Sequence, residues 1–191
     1  LLKGDIILPP SNFHAIPVKQ FDVIYFRWGA GGGYGDPLDR DPEAVLRDIK
    51  ENATFLETAK DIYGVVLKQT EMAVDYEATK RQRELIRGAR LTLRRDQPRK
   101  ISSANIKRKI MKFHEYLEIV EKDSGERMIV CVKCGHQFCS TAENYKNFSI
   151  YRENDLTNTV GRFLASGEKP FVTYQEYICP GCGTLLEVDV L

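Results

Sequence analysis

The chain has 191 residues, 42% of them hydrophobic and 29% charged, with a net charge of +1. That is a globular composition, enough for one domain or two small ones. No stretch approaches the roughly 18 apolar residues of a membrane span. Asp5 and the Pro9-Pro10 pair break the opening apolar run too early for an export signal. The chain opens at Leu1 rather than Met, as the cut edge of a longer polypeptide would.

Residues 1–28 read as extended, with "FDVIYFRW" (21–28) rich enough in aromatic and β-branched residues for a buried strand. The next stretch, "GAGGGYGDPLDRDPEAV" (29–45), holds five glycines in its first seven positions. As a nucleotide cradle it fails. G-x-G-x-x-G would need glycine where Tyr34, Asp36 or Leu38 stands, and no Gly-Lys-Ser/Thr follows. What remains is a tight loop whose backbone passes close to something, followed by a capped helix. Asp41 fits the N-cap of that helix, Pro42 its first position and Glu43 its first turn, with Val45, Leu46 and Ile49 as the apolar stripe.

A second helix is expected in "TFLETAKDIYG", with Thr54 and Glu57 as a capping box, Leu56, Ala59, Ile62 and Tyr63 as its buried face, and Gly64 after its end. "VVL" (65–67) reads as a short strand. "VDYEATKRQRELIRGARL" reads as a third helix, capped by Asp75 and basic on its outer face. From Gly88 to about Lys100 the apolar periodicity is lost, so a linker is expected, then a short basic helix from Ser103 to about Lys112. "YLEIVEKDSGERMIVC" alternates about Asp123-Ser124-Gly125 as a hairpin does, and "YQEYICPGCGTLLEVDVL" supplies two further short strands. The expected fold class is α+β: short strands and capped helices first, then, about two Cys-x-x-Cys-Gly runs at 131–135 and 179–183, a zinc-ribbon-like β domain.

Charge is uneven. Between Lys80 and Lys112 stand thirteen Lys/Arg against Glu84 and Asp96, a local +11 that leaves −10 for the rest. Such a segment is a candidate phosphate contact, which keeps a zinc-ribbon nucleic-acid-binding module as an alternative. Its basic residues are not interleaved with aromatics, however, and the cysteine-bearing part is acidic. A solvated helix face, or a patch docking on an acidic partner, is the commoner outcome.

All five cysteines lie after residue 130. Without an export signal, that clustering favours metal in a reducing cytoplasm over a disulfide framework. "CVKCG" (131–135) and "CPGCG" (179–183) are both Cys-x-x-Cys-Gly. Two intervening residues let both sulfurs reach one ion, and four thiolates at about 2.3 Å make a closed tetrahedral zinc site. The candidate ligands are Cys131, Cys134, Cys179 and Cys182. A thioredoxin-like motif would use one Cys-x-x-Cys on a βαβ frame, not two matching ones. Cys139 extends the first pair to C-x2-C-x4-C, a poor match to iron–sulfur spacing, and reads as a small buried residue. His136 could replace one cysteine, but the symmetry of the two pairs disfavours it. A closed site keeps no position for water, so no catalysis is expected at the zinc. His14, His114 and His136 have no motif partner and read as surface or packing residues, which leaves no candidate catalytic residue.

"GGGYGDPLDRDPEAVLRDI", "ETAKDIYGVVL" and "VDYEATKRQRELIR", in that order over roughly residues 1–90, resemble the C-terminal end of the hydantoinase B/oxoprolinase family. That family's large body, where its substrate chemistry is thought to reside, is absent. "CVKCGHQFC" (131–139), "NYKNFSIYRE" (144–153) and "YQEYICPGCGTLLEVDV" (174–190) resemble the zinc-binding gamma subunit of acetone carboxylase, over about residues 110–190. The organisation expected is a hydantoinase B-like segment at 1–87, a basic linker at 88–109 and a gamma-like zinc domain at 110–191. The resemblances imply a noncatalytic, zinc-bearing part of an acetone/acetophenone carboxylase-like complex with hydantoinase A-like and B-like large subunits. Those subunits would use ATP, a divalent metal and bicarbonate to carboxylate a ketone through phosphorylated intermediates. The first resemblance alone implies an alternative, an ATP-dependent hydantoinase/oxoprolinase amide hydrolase.

Overall fold

The computed structural model describes residues 19–20, 34–68, 71–93, 106–155 and 173–190. The expected strand at 21–28, the glycines at 29–33 and most of the expected linker lie outside them.

The first helix, α1 (Pro42–Lys50), forms as its caps require: Pro42 occupies the first turn, and the Asp41 carboxylate accepts from the Glu43 amide at 3.1 Å. Its stripe, Val45, Leu46 and Ile49, is buried against Ala59, Val65 and Val74. The second helix, α2 (Leu56–Asp61), differs at its start. Phe55 holds the N-cap with no side-chain hydrogen bond, so the Thr54/Glu57 capping box does not form. Of its expected buried face, Ala59 is buried, while Leu56 is 58% exposed. Gly64 takes φ +63°, the left-handed turn that ends such helices. In place of a strand at 65–67, Leu67 makes one antiparallel bridge to Val74. Helix α3 (Tyr76–Thr92) starts where expected, with the Asp75 carboxylate accepting from the Ala78 amide at 2.8 Å. It runs past Gly88, into the expected linker. The reason is tertiary: Arg90 is buried and Leu91 packs on Ile150, Ile178 and Leu185.

The described strands form two antiparallel meanders. One is β1 (Ile106–Lys112), β2 (Leu117–Lys122), β3 (Arg127–Cys131) and β4 (Gln137–Ser140), in that spatial order; the other is β5 (Ile150–Asp155), β6 (Thr173–Ile178) and β7 (Leu185–Val190). The hairpin about Asp123-Ser124-Gly125 and the two final strands form as expected. The basic helix expected from Ser103 does not: its described part, 106–112, is strand β1. Opposite-charge pairs with the neighbouring strand, Arg108–Glu121 at 2.8 Å and Lys109–Glu118 at 2.9 Å, favour the strand over a helix of weak periodicity. The main core lies between the sheets and joins Leu117, Ile129, Phe138 and Cys139 to Leu186. Among the described residues, no helix is long and apolar enough to cross a membrane.

Candidate metal centre

Each Cys-x-x-Cys is the turn of a β-hairpin, the first joining β3 to β4 and the second joining β6 to β7. The two turns share one backbone plan. The Cys131 amide donates to the His136 carbonyl and the Cys179 amide to the Thr184 carbonyl, both at 2.8 Å. The Gly135 amide donates to the Cys131 carbonyl and the Gly183 amide to the Cys179 carbonyl, both at 2.9 Å. Closing each turn takes a left-handed residue after the second cysteine, and Gly135 (φ +71°) and Gly183 (φ +73°) supply it.

The tips meet. One sulfur each from Cys131, Cys134, Cys179 and Cys182 lie within 4.8 Å of one another. Two edges of the set, Cys131–Cys182 and Cys134–Cys179, measure 3.9 and 3.7 Å. A regular tetrahedron with metal–sulfur bonds of about 2.3 Å has edges of about 3.8 Å, so the donor set fits a four-thiolate ion. Gly181 makes the approach possible: a Cβ there would lie 2.8 Å from both Cys134 Sγ and His136 Cβ. The sulfurs share protons unequally. Hydrogen bonding among the four sulfurs draws Cys131 and Cys182 below the ordinary thiol range and pushes Cys134 and Cys179 above it. The Thr184 hydroxyl, 3.2 Å from Cys182 Sγ, is placed to donate to a thiolate.

Cys139 is not part of the set. It pairs with Ile129 across β3–β4, is buried in the main core, and burial pushes its thiol up to about 11. His136 lends its carbonyl to the turn and stacks edge-on against Phe138, with ring centroids 4.9 Å apart.

Sequence reasoning misses a polar lock beside the centre. The Asp36 carboxylate, buried at the end of the glycine-rich stretch, accepts from Arg90 of α3 at 2.8 Å and from the Leu185 amide at 3.1 Å. Arg90 also donates to the Gly183 carbonyl at 3.1 Å. The Tyr116 hydroxyl accepts from the Asp36 amide at 2.8 Å and donates to Asp39 at 2.7 Å. Lys133, inside the first Cys-x-x-Cys, pairs with Asp39. Burial works against ionisation of Asp39, but the hydrogen bonds from Lys133 and Tyr116 outweigh it and hold the carboxyl below its ordinary value. At Gly35, the last glycine of the stretch, the backbone does pass close to something: a Cβ there (φ +77°) would sit 2.8 Å from the Tyr116 hydroxyl.

The basic face of α3 is not simply solvated. Arg83, Arg87 and Arg90, spaced along one side of the helix, all turn onto the 36–40 segment. Arg83 donates to the Arg40 carbonyl at 2.6 Å, and Arg87 pairs with Asp39 at 2.9 Å. Among the described residues, β1's lysines and arginine also pair, with Glu115, Glu118 and Glu121, so part of the basic segment is balanced within the chain.

Residues 105–191 match the family described as acetone carboxylase gamma subunit. The chain is 39% identical over 75 residues to the acetophenone carboxylase delta subunit of Aromatoleum aromaticum, covering 39% of this chain and 11% of that protein. It is 44% identical over 82 residues to a Pseudomonas protein provisionally named as the B-type component of a D-/L-hydantoinase, covering 43% and 14%. It is 30% identical over 76 residues to the acetone carboxylase gamma subunit of Xanthobacter autotrophicus, covering 38% and 45%. The chain thus spans between about a tenth and a half of these relatives. Its likeness lies with subunits of acetone carboxylase-like and hydantoinase proteins, and the paired cysteines fall inside the part that matches the gamma-subunit family.

Proposed function

We propose that this chain is an accessory, zinc-stapled part of a multi-subunit ATP-dependent ketone carboxylase of the acetone/acetophenone kind. The observation that carries the reading is the convergence of the four sulfurs of Cys131, Cys134, Cys179 and Cys182 within the stretch that matches the gamma-subunit family. Zinc suits this set best among common ions, since four thiolates in tetrahedral array are its usual structural donors. Four protein ligands leave no place for water or substrate, so the ion would hold two hairpins together rather than perform chemistry. Carboxylation of the ketone with ATP and bicarbonate would then fall to hydantoinase A-like and B-like partners. In that complex this chain supplies surface: a hydantoinase B-like segment at 1–87 and a gamma-like domain at 110–191, with a basic stretch between them.

A second reading, part of an ATP-dependent hydantoinase or oxoprolinase, draws on the likeness to the hydantoinase component. The gamma-subunit match favours the carboxylase. The test is isolation of the native complex with metal analysis and an ATP-dependent assay on ketones and on cyclic amides. Large hydantoinase-type subunits, about one zinc per chain and ketone carboxylation are expected. A monomeric, metal-free chain overturns the proposal, and amide hydrolysis without carboxylation replaces it with the second reading.

A further inference from the structure

The glycine-rich stretch ends in the turn Gly35-Asp36-Pro37-Leu38-Asp39, and this turn touches both metal-binding hairpin tips. On the second tip, Asp36 accepts from the Leu185 amide at 3.1 Å, and its partner Arg90 donates to the carbonyl of Gly183, the residue after Cys182. On the first, Asp39 pairs with Lys133, which lies between Cys131 and Cys134. Between them stands Tyr116, which binds the Asp36 amide and the Asp39 carboxylate through its hydroxyl and accepts from the Val132 amide through its carbonyl at 2.9 Å. Helix α3 seals the arrangement: a Cβ on Gly183 would lie 2.7 Å from the Arg87 carbonyl.

The burial makes the contact consequential. Asp36 is 2% exposed and Arg90 6%. A buried ion pair holds only while every partner keeps its place, because each ion left alone in a low-dielectric site is strongly unfavourable. Two of those partners, the Gly183 carbonyl and the Leu185 amide, are backbone groups whose positions depend on the left-handed turn that closes the second cysteine pair. A metal ion on the four sulfurs fixes that turn.

We propose that this face of the cysteine domain is a receptor for the Gly-Asp-Pro-x-Asp turn, and that metal binding and docking of the turn are one coupled event. By reciprocity, the ion strengthens docking by the same factor as docking strengthens the ion's hold. The chain's first half is thereby fastened to its second by the metal, although it contributes no ligand. This inference rests on the metal reading above, so its test separates the two.

The test uses the whole chain, zinc-loaded and after stripping with a strong chelator, compared by hydrogen-exchange mass spectrometry. Stripping is expected to lower protection at least tenfold at the amides of 36–40 and at the C-terminal turn of α3. The amides of α1 and of the first two turns of α3 should keep theirs. In reverse, Asp36→Asn should speed zinc release to a chromophoric chelator about tenfold, whereas Asp75→Ala, at the far end of α3, should leave the release rate unchanged. Zinc bound with no change at 36–40 overturns the coupling and leaves the metal reading standing. A chain that takes up no zinc overturns both. Should Asp36→Asn fail to fold, the exchange comparison, which needs no variant, still decides.

Discussion

The two cysteine turns have one backbone plan and two environments. Cys134 of the first is exposed, and Gly135 would meet nothing if given a side chain. Its counterpart in the second, Cys182, is partly buried, and Gly183 stands against the backbone of α3. Equal motifs therefore carry unequal weight: the local hydrogen bonds are the same, and what differs is how much of the molecule leans on each turn. Substitutions in each turn measure that inequality.

The largest effect is expected from the ligands. A structural zinc contributes about 10–16 kcal/mol in small metal-dependent folds, comparable with or above the roughly 5–15 kcal/mol that holds an average domain together. Cys179→Ser removes a ligand from the buried turn and leaves a hydroxyl in its place. The C-terminal half should lose its zinc and its cooperative thermal transition. Cys134→Ser, at the exposed corner, should weaken zinc binding yet recover the fold in excess zinc. Equal losses in zinc content and melting would show that the environments do not matter.

Next comes the buried ion pair that only the second turn has beside it. Asp36→Ala strands Arg90 and the Leu185 amide, and removal of one partner from a buried pair costs about 3–5 kcal/mol. Lys133→Ala, the matching loss on the first turn, breaks a partly exposed pair and should cost about 1 kcal/mol or less. Denaturant titration of both variants at saturating zinc checks the ordering, which reverses if the first turn is the one that anchors the N-terminal half.

Smaller again is the glycine pair. Gly135→Ala imposes only left-handed backbone strain, about 1–2 kcal/mol. Gly183→Ala adds a contact with a helix carbonyl that cannot move without moving α3, and about 3 kcal/mol in all is expected. Melting temperatures of the two should separate accordingly, and identical shifts would mean that α3 yields at no cost.

What can be read from the sequence follows the same division between local and distant causes. Asp41-Pro42 and Asp75 act within one turn of chain, and both helices start where those residues stand. The cysteine spacing is also local, and it indicates which four sulfurs converge. Thr54 and Glu57 obey a local rule too, yet α2 starts at Leu56 without them. The lock is illegible because its members are far apart: Asp36 meets Leu185 across 149 positions and Arg90 across 54. In the sequence Asp36 is an ordinary turn residue before proline, and Arg90 one more charge on a basic face. Strand β1 looks helical for the same reason, since its register is set by Glu118 and Glu121 on the next strand. One sign is present all the same. A glycine followed by Asp-Pro fits a backbone that must approach something closely, and Tyr116 is what it approaches.

The smallest difference between the turns is the residue after each glycine. In the second turn it is Thr184, with its hydroxyl 3.2 Å from Cys182 Sγ; in the first it is His136, whose ring lies against Phe138. A hydroxyl that donates to a thiolate spreads its charge and fixes its direction, and outer partners of this kind influence metal affinity by about tenfold or more. Thr184→Val keeps the shape of the side chain and removes the donor. Zinc affinity should fall about tenfold, equal to about 1.4 kcal/mol, with the exchange pattern of the zinc-loaded fold unchanged. Affinity equal to that of the native chain would mean that the backbone amides of the turn already satisfy Cys182. The two turns would then differ only in what is packed around them.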